Sequence, residues 1–435
     1  MAQELIPSEE EKGNTGNVIF IHPDGAGLNT WNAFRVFKVG PDGEINWDKI
    51  PKIGIYRGHM KDGLTSTSNG GATTHAFGVK VKANSYGMNG KKYIRSLSGY
   101  HGSIMKEAIG TGKSAGVINT GHIAEPGTGV FLSSSPTRHN YDRISKEIIT
   151  SGAQVIMSGG EKYLLPSGKK GFHGNGSRQD DLDLIEYALE KGYTVVYTKK
   201  QLEKVNLEKT DKLLGVFAHD NTYNDLTEED LQKNRLPMYN KEAPAFEQMV
   251  SAALKILSRN SQGFILVAEE EGSDNFGNKN NASGVMEALG RADAGYAVAL
   301  KFINENPKTL LITASDSDAG GLQVYSPADS SFNTLHGYNQ LDSRTDNGAP
   351  LDGRAGRRSL PFESAPDRRE EQFYYGMAFA AYSDLSGGII ARAAGLNSER
   401  LPLTVDNTDI YRMMYLTLFG KDLGLKSTPS GMPSE

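Results

Sequence analysis

The chain has 435 residues, 37% of them hydrophobic, which is enough to bury a full core and suits one large domain with an insertion rather than a string of modules. Its net charge of −5 is spread along the sequence, so no nucleic-acid footprint or polybasic membrane patch is visible, and no apolar run approaches the roughly 20 residues that cross a bilayer. With no cysteine there is no disulfide, thiolate metal site or cysteine nucleophile, so any metal must be held by oxygen or imidazole.

The opening segment, Met1-Ala2-Gln3-Glu4-Leu5, lacks the basic and apolar regions of an export signal and suits a chain whose signal was removed as well as an ordinary cytosolic start. Residues 1–15 read as a flexible N-terminus, and residues 16–435 as a single domain. Short apolar runs at 17–22, 117–119, 155–157, 214–217, 264–267 and 310–313 stop at acidic or glycine-rich turns and read as buried strands. Helical patterns lie between them, notably Phe246, Met249, Val250, Ala253, Leu254 and Leu257 before one strand and residues 285–302 after it. The alternation predicts an α/β fold, with a central mixed, mostly parallel sheet flanked by helices. In such sheets ligands collect beyond the carboxyl ends of the strands, so the polar residues just after each run are the candidate site. Residues 161–241, richer in Lys, Asp and Glu, read as a peripheral insertion. Residues 333–371, polar and rich in Gly and Arg, read as long surface loops.

Asp24 follows the first strand in His22-Pro23-Asp24-Gly25-Ala26-Gly27, where glycines let backbone approach a bound ion; the plainer reading is a turn or capping Asp. Ser68 lies in Thr65-Ser66-Thr67-Ser68-Asn69-Gly70-Gly71, a polar loop unless its hydroxyl opens a helix, where the positive dipole end favours an alkoxide or an attached phosphate. Gly110-Thr111-Gly112-Lys113-Ser114 imitates the end of a P-loop, but Glu107 stands where that motif requires glycine. Glu269-Glu270-Glu271 end another strand, followed by Asp274; successive acids repel unless solvent or a cation relieves them. Thr313-Ala314-Ser315-Asp316-Ser317-Asp318 repeats the pattern of strand and acids.

Taken in order, these segments resemble the alkaline phosphatase family from Val18 to Leu418. The resemblance is carried by Asp24 with its glycines, by Ser68 running into Gly78-Val79-Lys80, by Gly112 to Gly116, and by Pro136-Thr137-Arg138. It continues through Glu269 and Asp274 five apart, Thr313 to Asp318, and Asp406-Asn407-Thr408-Asp409. It implies a phosphomonoesterase in which Ser68 takes up the phosphoryl group and water then hydrolyses the phosphoserine. Arg138 would grip two phosphate oxygens as a bidentate fork, with Ser68 and Asn69 also touching substrate. Asp24 would bridge two metal sites, Glu269 and Glu125 would serve a magnesium-type site, Asp274 would hold the metal facing the leaving group, and Asp316, with Asp318 near it, the metal that activates Ser68.

The histidines on which zinc leans in this family are replaced. Asn278 stands four residues after Asp274, and Gln372 stands roughly where the last histidine ligand belongs. Either Asp316 replaces a histidine directly, or a one-residue insertion puts Asp316 at the aspartate and Ser317 at the histidine. Thr67 stands where most relatives carry an acid, and the usual threonine ligand near Glu125 is offset to Gly127 or Thr128. Oxygen ligands in place of imidazole favour magnesium or calcium, with zinc the family default. His336 reads as an ordinary surface histidine. The expected partners are small phosphate monoesters and inorganic phosphate, with a homodimer and a periplasmic or secreted location implied by the resemblance. The competing readings are a metal-poor relative that binds phosphate without turnover, and a phosphodiesterase or sulfatase on the same fold.

Overall fold

In the computed structural model the described residues are 15–326, 345, 347–357 and 359–425. Eight strands come in chain order: β1 (Asn17–Pro23), β2 (Lys52–Arg57), β3 (Ser114–His122), β4 (Val155–Gly159), β5 (Thr194–Val196), β6 (Leu213–Val216), β7 (Phe264–Glu270) and β8 (Thr309–Thr313). With Ile390–Gly395 and Thr404–Asp406 they form one ten-stranded sheet in the order Thr404–Asp406, β2, Ile390–Gly395, β8, β1, β7, β3, β4, β6, β5. Every pairing is parallel except those of Ile390–Gly395, which runs antiparallel to β2 and β8. Apart from that strand, all carboxyl ends therefore emerge on one edge, as the alternating pattern predicted.

The central strands are apolar runs because both faces are covered. Val18 and Phe20 of β1 pack into one cluster with Ala72, Ala76 and Phe77, while Ile19 and Ile21 face the other with Phe246, Met249 and Leu289. Helices Ser68–Phe77 and Asn407–Phe419 thus lie on one side, and Phe246–Leu257 and Ala282–Glu305 on the other. The last two contain the apolar positions read from the sequence.

Residues 161–241 are peripheral in position but hydrogen-bonded into the sheet, since β5 and β6 extend it beyond β4. Their high polarity reflects an edge with less to bury. Of the presumed surface loops at 333–371, the described part includes strands Asp352–Gly353, Gly356–Arg357 and Phe362–Glu363, which join Gln323–Tyr325 and Tyr374–Ala378 in a small second sheet. Two-residue strands leave no periodicity to read. His336 and residues 1–14 lie outside the described residues. Among the described residues no helix is long and apolar enough to cross a membrane.

Candidate metal and phosphate site

Asp24 leaves β1 fully buried, and neither carboxylate oxygen has a hydrogen-bond partner of good geometry. Two residues earlier, His22 points to the same face as Phe20, as strand alternation requires. Its Nδ1 lies 2.7 Å from the Ala314 carbonyl, and its Nε2 faces Asp24 Oδ1 at 3.5 Å, Glu269 Oε1 at 3.8 Å and Asp316 Oδ1 at 3.9 Å.

Ser68 is the first residue of the ten-residue helix Ser68–Phe77. Thr67 in extended conformation is its N-cap, accepting from Gly70 N–H, and Gly78 ends it at φ 70°, where glycine is unstrained. Two glycines in the first turn are explained by packing. A Cβ on Gly71 would stand 2.5 Å from Asp316 Cβ and 2.7 Å from Ser66 Oγ, so only glycine lets the helix start come this close to the end of β8. Asn69 is buried beside Ser68 with its Oδ1 unpartnered.

At the end of β7, alternation divides the three glutamates. Glu270 turns to the far face and meets Arg291, Oε1 to Nη2 2.8 Å and Oε2 to Nε 3.0 Å. Glu269 and Glu271 turn toward Asp24, and ligand atoms of these three lie within 4.8 Å of one another. Asn119 donates to Glu269 Oε2, and also to Thr128 Oγ1 at 3.0 Å, so Thr128 holds the residue that holds Glu269. Asp274 follows in the helix Gly272–Asn278. Asn278 Nδ2 donates to Asp274 Oδ2 at 3.1 Å and to Asp384 Oδ1 at 2.9 Å.

At the end of β3, His122 Nε2 lies 2.9 Å from Glu125 Oε1, and Arg138 Nη2 lies 2.6 Å from Glu125 Oε2. The described hydrogen bonds of Arg138 use only that nitrogen.

Seven carboxylates therefore crowd one buried edge against Arg138 and His22. Burial would lower the His22 imidazole, but Asp24 and Glu269 facing it raise it to about 9. Burial would raise Asp24, but the groups of Asp316, His22 and Ser68 that face it hold it below the usual carboxylate range. Burial would likewise raise Glu125, and His122 and Arg138 bring it down to about 2. Burial, with Asp24 and Glu125 nearby, pushes Glu269 up to about 8 despite His22. Glu271, Asp274 and Asp316 stand well above their ordinary values, first through burial and then through neighbouring carboxylates. Such a cluster must hold either protons or cations.

The family model for alkaline phosphatase matches residues 15–348. The chain belongs to the alkaline phosphatase family. Membership makes it an alkaline phosphatase-like hydrolase. It is 24% identical over 387 residues to the tissue-nonspecific alkaline phosphatase of Rattus norvegicus, covering 79% of this chain and 71% of that one. It is 25% identical over 335 residues to alkaline phosphatase 4 of Bacillus subtilis, covering 73% and 64%. Solved alkaline phosphatases share the fold: that of the Antarctic bacterium TAB5 at TM-score 0.69 and 19% identity, covering 94% of this chain and 99% of that one, and that of Thermus thermophilus at 0.70 and 20%, covering 96% of each.

Of the positions that the family resemblance marks, the fold gathers Asp24, Ser68, Asn69, Glu269, Asp274, Asn278 and Asp316 at one edge, with Glu125 and Arg138 beside them as an ion pair. Glu125 is thus occupied with His122 and Arg138 and belongs to neither group of converging metal-type donors. Asp318 is buried nearby but faces Gly27 and Gly387 and is in neither group; burial raises it to about 6. Gln372 is not brought to the site. It is exposed, and its Nε2 donates to the Ser364 carbonyl at 3.0 Å beside the small sheet. The group that meets Asp274 and Asn278 from that part of the chain is Asp384. Sequence reasoning missed Asp384 and His22, and marked Glu271 only as part of the acidic run that ends its strand, with no role of its own. Strand periodicity held a signal for His22 and Glu271, each standing two residues from a singled-out acid.

Proposed function

We propose that the protein hydrolyses phosphate monoesters through a phosphoserine at Ser68, with divalent cations held by the buried donors. The observation that carries this reading is the placement of a buried serine hydroxyl at a helix N-terminus, facing Asp24 across a cluster of unpartnered buried oxygens. The donor set fits cations. One oxygen each of Glu269, Glu271 and Asp274, and both of Asp24 and Asp316, lack partners, where a folded protein satisfies nearly all buried polar atoms. Asp24, with His22 and Asp316 on one side and Glu269 and Glu271 on the other, would be the shared ligand, and Asp274, Asn278 and Asp384 would form a further site. When bound, such ions supply Lewis-acid polarisation and neutralise charge on the phosphoryl oxygens. In the family of solved neighbours, a variant of the TAB5 enzyme carries magnesium in its M3 site.

The chain's own groups then divide the work. Arg138, anchored through Nη2 to Glu125, presents its remaining donors to two phosphate oxygens. Asn69 and the first free N–H groups of the helix hold another oxygen, and the helix dipole favours the negative charge. Ser68 Oγ attacks phosphorus in line as its proton leaves to the carboxylate cluster, the ester oxygen departs, and water attacks the phosphoserine in the second step. The substrates are small phosphate monoesters and the product inorganic phosphate, with an exported location and a homodimer as the accompanying proposals.

Phosphate release from an aryl phosphate, followed before and after chelation and with each divalent ion restored, tests this reading. Turnover should require metal, and Ser68→Ala should lower kcat by at least about 1,000-fold while leaving metal content intact. Phosphate bound stoichiometrically by the metal-loaded protein without turnover would replace the reading with a phosphate-binding relative, and faster release from a diester or sulfate ester would change the substrate class.

A further inference from the structure

We propose that His22 is a metal ligand, the nitrogen donor of a transition-type cation held with Asp24 and Asp316 beside Ser68, while Asp274, Asn278 and Asp384 form an all-oxygen site for Mg2+ or Ca2+. This rests on the reading of the cluster as a metal centre, and adds a ligand and a division of labour between two chemically unlike sites.

His22 Nδ1 stands 2.7 Å from the Ala314 carbonyl, and a carbonyl oxygen only accepts, so Nδ1 carries a proton. In the neutral ring Nε2 is then a lone pair, and the atoms it faces are also acceptors: Asp24 Oδ1, Glu269 Oε1 and Asp316 Oδ1 at 3.5–3.9 Å. Nε2 and all three of those oxygens are buried without a hydrogen-bond partner. Without a metal, a proton on Nε2 turns it into a donor toward those carboxylates; once that proton is gone, the four inward-facing acceptors are stable only around a cation.

The spacing suits an ion. Ligands 2.0–2.1 Å from a tetrahedral cation stand about 3.3–3.4 Å apart, near the 3.5 Å between His22 Nε2 and Asp24 Oδ1, and donors from His22, Asp24 and Asp316 all lie within 4.8 Å of one another. A ligating histidine ordinarily donates its other ring N–H to a backbone carbonyl or carboxylate, the arrangement Ala314 provides. The ring is locked in place on β1 by Phe20 at 5.7 Å and His75 at 5.6 Å between centroids. Among the described residues His22 is the one histidine in either group of converging donors.

The other site has no imidazole. Asp274 and Asp384 converge on the Asn278 amide, whose Oδ1 is buried and unpartnered and would face an ion after a half-turn of the amide. Three oxygen donors favour a hard cation, whereas a site with nitrogen shifts preference toward zinc-type ions.

The test is metal binding itself. Metal-free protein equilibrated with Zn2+ and Mg2+ together, then freed of excess, should retain one tightly bound zinc by elemental mass spectrometry. His22→Gln should weaken zinc by at least about 100-fold and leave magnesium in place, whereas Asp384→Asn should do the reverse. Should His22→Gln fail to fold, zinc-edge anomalous diffraction from the wild-type protein decides: zinc about 2.0–2.1 Å from His22 Nε2 is the expected result. Unchanged zinc affinity in a folded His22→Gln, zinc placed away from Nε2, or no bound zinc overturns the proposal. These readouts do not involve turnover, so a protein that binds zinc at His22 yet releases no phosphate would defeat the hydrolase reading and leave this one standing.

Discussion

Glu269 and Glu270 are neighbours on β7, identical in chemistry and fully buried, yet they solve the problem of a buried carboxylate in different ways. Glu270 is matched inside the chain by a two-pronged contact to Arg291, which also lies 4.2 Å from the centre of the Tyr239 ring. Glu269 has one oxygen on Asn119 and the other unpartnered among Asp24, Glu271 and His22. A buried charge that the fold neutralises itself is architecture. One that the fold leaves to an outside partner marks a place where something binds.

Arg291→Leu leaves Glu270 without its charge partner in the core, with the Gly272 N–H as a remaining donor, and should lower unfolding free energy by about 3–5 kcal/mol, read in urea, without altering metal content. The double variant Glu270→Leu with Arg291→Leu should recover most of that loss. If metal content fell together with stability in the single variant, the two faces of β7 would not be independent and the comparison would fail.

Chelation does to Glu269 what Arg291→Leu does to Glu270, and pH reads out the result. Glu269 rises from its ordinary value to about 8 and His22 from 6.5 to about 9, so the metal-free folded state keeps protons that the unfolded chain releases. Its stability is therefore greatest below about pH 4.5 as far as these two are concerned, and falls as pH climbs to about 9. The expected drop is about 2–3 kcal/mol, less than two independent groups would give, because the cluster shares its protons. Glu125, lowered to about 2, acts oppositely and withdraws its contribution only as pH falls below its ordinary 4.5. Saturating metal should reverse the slope between pH 5 and 8, since binding expels those protons. Thermal unfolding at several pH values, with and without chelator, measures both curves, and parallel curves would mean that the cluster does not take up metal.

Much of this arrangement was legible in the sequence, for a physical reason. Central parallel strands covered on both faces read as apolar runs, and the groups at or just past their carboxyl ends, Glu269, Asp24 and Asp316, are found by counting from them. Ser68 was legible because its helix opens there, and Thr67 proved to be the cap rather than the acid that relatives carry. His22 was hidden inside its own run, where a strand histidine passes for core. The part of the chain beyond β8 was the least readable. Its pairings are two residues long, so spacing alone chose Gln372, whereas Asp384 is set by an antiparallel ladder with Asp318–Ala319 across a long stretch of chain.

The smallest expected effect sharpens that last distinction. Gln372 is exposed, and its single described hydrogen bond is Nε2 to the Ser364 carbonyl, so Gln372→Ala removes one solvent-accessible contact. It should change unfolding free energy by no more than about 0.5 kcal/mol and leave metal stoichiometry and kcat/KM within about twofold. Set beside Asp384→Asn, which removes a charge from the all-oxygen site, the pair separates a residue matched by chain spacing from one placed by the fold. A Gln372→Ala protein that lost metal while Asp384→Asn kept it would mean that the small sheet closes over the site in solution and brings Gln372 to the ion.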